Sequence, residues 1–263
     1  MEIIKPPKLK KGDLVTVVSP SQPISNRAHF WRGVKTLENL GFRVKPAPHV
    51  EAVYQMYKAG TPQERAQDIN EAFANPEIKA IFMSIGGYSA NEILPLLDYS
   101  LIKKNPKIII GFSDGTTLLN AIYARTGLVT FHGFSIQRFF AKASPYTVES
   151  FLNIVQKGKK YFLPKTRWRI LKKGKAVGRL IGGNLLCFAN LLGTRYFPEI
   201  KNTILFLEEH DDYTEEIENA LRRLANAGIF SKGGVKGVVF GKMVNVTVGS
   251  PDSETRKWPR PKY

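Results

Sequence analysis

The sequence predicts an α/β protein: an N-terminal, mostly parallel, helix-covered sheet followed by a smaller α/β unit. Short β-branched runs alternate with helical patterns from Asp13 to Tyr123, a polar and basic stretch follows Phe140, and a second alternation begins near Val177. Alternation of this kind favours parallel strands, because each crossover needs a segment long enough to hold a helix. The domains are expected at 1–145 and 177–263, with 146–176 as the connection.

Asp13-Leu14-Val15-Thr16-Val17-Val18, stopped by Ser19-Pro20, reads as a buried first strand. Phe30, Val34, Leu37 and Leu40 recur at helical spacing, and Gly41 stands where a helix ends before the strand Phe42-Arg43-Val44. Thr61-Pro62-Gln63-Glu64 combines an N-cap threonine, a proline at the first helical position and a glutamate three residues on, opening a helix through Phe73. Ala80–Ser84 is the next strand, with Gly86-Gly87 as its exit turn, and Ile108-Ile109-Ile110 the one after it. Lys157–Lys160, Pro164-Lys165 and Lys172–Lys175 make up the polar connection. Beyond it come a glycine pair before a helix at Gly182-Gly183-Asn184, a strand Thr203–Leu207, an amphipathic helix Thr214–Ala227 and a strand Val235–Gly241. The stretch from Gly249 to Tyr263 has no periodicity and reads as a ragged tail.

Composition narrows the class. With 263 residues and 43% hydrophobic content the chain can bury a substantial core. No apolar run approaches the length of a membrane span, and Met1–Lys11 lacks the apolar stretch of a secretory leader. The single Cys187 rules out an intrachain disulfide and reads as a buried small hydrophobe, which suits a reducing, cytoplasmic setting. The net charge of +17 is spread along the chain without zinc-ligand spacing, a recognition-helix pattern or ribonucleoprotein aromatics, so neither nucleic acid nor membrane is the expected partner.

The pattern with chemical content is Gly111-Phe112-Ser113-Asp114-Gly115, between an apolar strand and the helical stretch Thr116–Tyr123. A Gly-x-Ser-x-Gly turn in that context lifts a serine into an exposed, strained position beside free helix-start amides. The alternative is an ordinary turn with an N-capping Ser or Asp. A serine nucleophile needs a base and a group to orient it, which directs attention to the four histidines. His29 and His49 lack site-like context, whereas His132 stands at a strand end and His210 follows Glu208-Glu209. Glu208, at the end of a buried-looking strand, is placed to orient a histidine or is a solvated loop acid.

Leu9-Lys10-Lys11-Gly12-Asp13, Val17-Val18-Ser19-Pro20-Ser21, Ala59-Gly60-Thr61 with Glu64-Arg65-Ala66, Ser84-Ile85-Gly86-Gly87, Leu94–Asp98, Gly111–Asp114, Gly182-Gly183-Asn184-Leu185 and Leu205–Glu208 together resemble the LD-carboxypeptidase serine peptidases. The resemblance implies Ser113 as nucleophile and Glu208 as the acid of a Ser-His-Glu triad. It also implies an oxyanion hole from the Asp114 amide and a glycine amide of Gly86-Gly87. Asp98 and Asn105-Pro106 are expected in structural roles. The implied substrate is a peptide: a murein tetrapeptide that loses its terminal D-amino acid, with no metal or organic cofactor, in a homodimer. Ile85 before the paired glycines is similar instead to the microcin-immunity branch, which implies a peptide-nucleotide substrate. In the family the triad histidine lies in a Gly-His segment beyond the Val-Val-Phe-Gly strand, and no histidine follows His210 here. The resemblance therefore implies a truncated chain with an incomplete second domain, an inactive, peptide-binding relative, or His132 or His210 as substitute base.

Overall fold

The computed structural model describes residues 2–138, 140–159, 169–231 and 233–249. They form two compact units: Met1–Lys175 with Thr194–Pro198, and Ala176–Gly193 with the residues from Glu199 on. Every pairing in the two sheets is parallel, as the alternation of strands and helices predicts.

The first unit carries β1 (Leu14–Val18), β2 (Arg43–Val44), β3 (Ile78–Met83), β4 (Ile108–Gly111) and β5 (Phe131–His132), in the order β2-β1-β3-β4-β5. This is a doubly wound order, whose direction reverses between β1 and β3 and leaves a crevice at the carboxyl ends of those strands. Strands β1 and β4 are buried along their whole length, so they read as continuous apolar runs rather than alternating ones. Helices α1 (Arg27–Asn39), α2 (Pro62–Ala74), α3 (Tyr99–Lys104) and α4 (Gly115–Thr126) join them in turn, and α5 (Pro145–Val155) follows β5.

The local start signals act as the sequence suggests. Thr61 and Glu64 form a reciprocal capping box at the head of α2, with Pro62 in its first turn. Asn26 caps α1 by accepting from His29 N at 2.8 Å, and Asp98 caps α3 by accepting from Leu101 N at 2.9 Å. Asn105 Nδ2 donates back to the Leu101 carbonyl at 3.0 Å, so both residues of the Asp98 and Asn105 pair act structurally.

The stretch expected as a connection from residue 146 onward begins instead with α5. Ser144 caps that helix, and its Phe151 and Val155 are buried in the core of the first unit. Phe82, Phe140 and Phe151 meet edge-to-face or tilted there, with centroids 5.2 to 5.9 Å apart, and this aromatic packing fixes α5 in place. Lys172–Lys175 is exposed, while Lys160 and Pro164-Lys165 lie outside the described residues.

The second unit holds β6 (Arg179–Asn184), α6 (Leu185–Ala189), β7 (Thr203–His210), α7 (Thr214–Asn226) and β8 (Val235–Val244), with sheet order β6-β7-β8. Gly182-Gly183 belongs to β6 itself, and the helix begins only after Asn184, whose side chain accepts from Cys187 N at 3.1 Å. Cys187 is half-buried rather than fully buried, because helical spacing turns it away from the face of α6 that Leu185, Phe188 and Ala189 bury. The expected tail, from Ser250 on, lies outside the described residues.

Candidate active site

Strand β4 ends in the turn Gly111–Gly115, and the two glycines of that turn have a packing reason. A Cβ on Gly111 would overlap Met83 Sδ at the end of β3, and one on Gly115 would come within 2.5 Å of the same sulfur. Bare backbone at both positions lets β4 and α4 close on the neighbouring strand. Between them Ser113 adopts φ +55°, a left-handed conformation that costs a non-glycine residue on the order of 1 kcal/mol. The turn is held by Gly115 N donating to Phe112 O at 3.0 Å and Thr116 N donating to Ser113 O at 2.8 Å. Ser113 is half-buried, with its backbone locked and its side chain beside the N-terminus of α4.

The Asp form of the N-capping alternative is not what forms, although Asp114 occupies the N-cap position of α4. Asp114 is already helical at φ −57°, and its side chain makes no capping hydrogen bond. Its carboxylate turns inward and accepts from Ser21 Oγ at 2.5 Å and from Ala90 N at 2.8 Å. It thereby anchors the start of a short 3-10 turn, Ala90–Leu96, that follows β3.

Gly86 and Gly87 leave β3 directly against Ser113. A Cβ on Gly86 would lie 2.7 Å from Ser113 Cβ, 2.8 Å from its Oγ and 3.6 Å from Asp114 N. Gly87 has φ +142°, and a Cβ there would overlap Ser21 Oγ and approach Gln22 N to 2.7 Å. Ser113, Asp114, Gly86 and Gly87 are therefore brought together, at the carboxyl ends of adjacent strands. His132 lies in the same unit on β5, whose register sets it opposite Gly111.

Glu208 and His210 belong to the second unit. Strand β7 continues through both, beyond the end expected at Leu207, because Glu209 and His210 pair with Met243 and Val244 of β8. Glu208 is half-buried and in register with Asn184, while His210 Nδ1 lies 3.1 Å from Asp211 Oδ2. The strand alternation turns Glu209 to the opposite face from Glu208. There Glu209 accepts from Asn184 Nδ2, from Leu186 N at 3.1 Å and from His210 N at 3.1 Å. Burial pushes the Glu209 carboxyl above its usual range, against the pull of those donors.

A polar network behind the turn carried no expectation from sequence. Arg65, fully buried, donates to Pro20 O at 2.8 Å, to Ser89 O at 3.0 Å and to Glu92 Oε2 at 2.6 Å. Lys58 Nζ reaches Glu92 Oε1 at 2.5 Å. Burial raises the Glu92 carboxyl, but its hydrogen bonds to Lys58 and Arg65 outweigh this and hold it below its ordinary range. Ser21 and Arg65 stand inside the family-like motifs, and that was their only signal. Among the described residues, no group of three or more His, Cys, Asp or Glu is placed to hold a metal ion.

A doubly wound parallel sheet that raises a strained serine at a strand-to-helix turn is a hydrolase-type arrangement. The chain belongs to the LD-carboxypeptidase family: residues 15–133 match its N-terminal domain and residues 177–260 its C-terminal domain. It is 36% identical over 267 residues to the microcin C7 self-immunity protein MccF of Escherichia coli, covering 89% of this chain and 76% of that one. It is 35% identical over 227 residues to the "Probable murein peptide carboxypeptidase" of Bacillus subtilis (strain 168), covering 85% and 70%. Among solved structures, MccF in complex with aspartyl sulfamoyl adenosine aligns with a TM-score of 0.83 at 33% identity, covering 97% of this chain and 84% of that one.

Proposed function

We propose that this protein is a serine-type LD-carboxypeptidase that removes the terminal D-amino acid from a murein tetrapeptide. The observation that carries the reading is the strained Ser113, with the side-chain-free Gly86 against its Oγ, in a chain of this family. Ser113 Oγ attacks the scissile carbonyl carbon and passes its proton to a histidine oriented by Glu208. The tetrahedral oxyanion is received by the amide of Asp114, at the positive end of α4, and by an amide of Gly86-Gly87. Collapse breaks the C–N bond, and the histidine returns the proton to the departing amine. Water then hydrolyses the acyl-serine and frees the shortened peptide. His132 and His210 are the candidate bases within this sequence. His132 has the support that its strand pairs with β4 at Gly111, two residues before Ser113.

A homodimer working in the cytoplasm on recycled muropeptides completes this reading. Among the described residues no helix is long and apolar enough to cross a membrane. A second reading, cleavage of a peptide-nucleotide, is supported by Ile85 before the paired glycines and by the likeness to MccF, whose structures hold such analogues. Turnover of a murein tetrapeptide and of an aminoacyl-nucleotide, followed by mass spectrometry, separates the two. The expected result is release of the D-amino acid, abolished by Ser113→Ala and by Glu208→Ala. Ligand binding without product from either substrate would overturn the enzymatic reading in favour of a binding protein.

A further inference from the structure

We propose that Ser21 is a positioning residue whose hydroxyl sets the separation between Gly86-Gly87 and Asp114. This rests on the reading above, in which those two backbone segments receive the oxyanion.

Three loops meet at this one hydroxyl, each leaving the carboxyl end of a different strand. Ser21, fully buried, sits in the exit of β1. It donates to Asp114 Oδ2 at 2.5 Å, at the exit of β4, and accepts from Ser89 N at 3.1 Å, beyond the exit of β3. A hydroxyl has one proton to give and two lone pairs, so the donor and one acceptor site are committed to two different loops. Gly87 packs so closely that a Cβ there would overlap the same Oγ, while Gln22 N donates to Gly86 O at 3.2 Å. The glycine segment is thus pressed against Ser21 by contact and tied to its neighbour by a backbone bond. On the other side Ala90 N donates to the same carboxylate oxygen of Asp114 at 2.8 Å, which closes a ring through Ser21, Asp114, Ala90 and Ser89.

The surroundings keep Ser21 from moving in response. Ala59 N donates to Ser21 O at 2.8 Å, and the buried Arg65 holds the carbonyls of Pro20 and Ser89 on either side. The hydroxyl is therefore a strut of fixed length between the two segments. Electrostatic stabilisation of an oxyanion depends on donors held in place before the reaction, and a misplacement of about 1 Å can cost about 100-fold in rate. Because Ser21 is buried and acts through the backbone segments it holds apart, its effect is expected on kcat rather than on KM.

Two measurements on the whole chain decide this. The first is hydrogen exchange at amides 85–88 and 112–115. Ser21→Ala is expected to speed exchange in both segments together and to leave β1, β3 and α1 unchanged. Unchanged exchange, acceleration of one segment alone or acceleration throughout the unit would overturn the proposal. The second is the rate of Ser113 labelling by a fluorophosphonate, alongside tetrapeptide turnover. Ser21→Ala is expected to lower labelling and kcat by about 10- to 100-fold with KM within twofold, by the same positional sensitivity. Asp114→Ala should match it, and the double variant should be no worse than either. Asp114→Asn, which keeps an acceptor for the hydroxyl, should recover most of the rate; multiplying losses, or no recovery, would refute the strut. Labelling that survives Ser113→Ala, or is absent from the parent, would instead sink the nucleophile reading, while hydrogen exchange still decides the role of Ser21.

Discussion

Gly86→Ala is the substitution that tests the site geometry most directly. Gly86 is not among the positive-φ residues, so alanine is acceptable to its backbone and the effect is one of contact alone. The new methyl would stand 2.8 Å from Ser113 Oγ and 2.7 Å from its Cβ. Ordinary carbon contacts begin near about 3.5 Å, so the loop or the serine must yield by roughly 0.7 Å. Ser113 cannot turn away freely, because its left-handed backbone is pinned by the hydrogen bonds of the turn. Overpacking of this size costs about 1–3 kcal/mol of stability. A shift approaching 1 Å at the reacting oxygen costs about 10- to 100-fold in rate, or about 1.4–2.7 kcal/mol of barrier. The assay pairs denaturant melts with Ser113 labelling, with Gly174→Ala as control, since a Cβ there meets nothing within 4 Å. A Gly86→Ala protein with parental stability and labelling rate would refute the close approach of the two segments.

Three further outcomes are expected. Ser113→Gly should remove the labelled hydroxyl with little change in stability, because relief of the φ +55° strain, on the order of 1 kcal/mol, offsets the greater freedom of glycine in the unfolded chain; a loss of about 2 kcal/mol or more would contradict stored strain. Lys107 is buried with its ammonium on the carbonyls of Ala72 and Asn75, and burial pushes its pKa down to about 8. The unfolded chain then binds more protons above that pH, so stability should rise by about 2 kcal/mol from pH 7 to 9.5, and Lys107→Met should flatten the rise. The window stops below pH 10 because burial raises the Tyr99 pKa, which lowers stability as pH climbs further. Thr61→Ala breaks the capping box of α2 and should cost about 1 kcal/mol in an equilibrium melt, with the loss absent in Thr61→Ser.

Much of the fold was legible because its signals are local. The capping box at Thr61 and Glu64, the proline opening α2 and the β-branched runs of β1 and β4 each commit a segment without help from distant contacts. α5 was not legible, because its sequence sits among basic and polar neighbours and its helix is secured by Phe151 meeting Phe82 and Phe140 from elsewhere in the chain. Glu208 and Glu209 show the same division at one position. The sequence offers two adjacent carboxylates, and only the pleat of β7 turns one toward Asn184 and α6 and the other to the opposite face.

The sequence by itself determined the α/β class, the Gly-x-Ser-x-Gly turn and the ordered motifs of an LD-carboxypeptidase, since each is written in residues a few positions apart. Only the tertiary structure decided what the turn is built against. Ser113 faces Gly86 and Asp114 bonds Ser21 because parallel strands β1, β3 and β4 end side by side, although those residues are scattered along the chain. Side-chain spacing within one segment follows from helix and strand geometry, whereas the meeting of three strand exits depends on the burial of every apolar run between them.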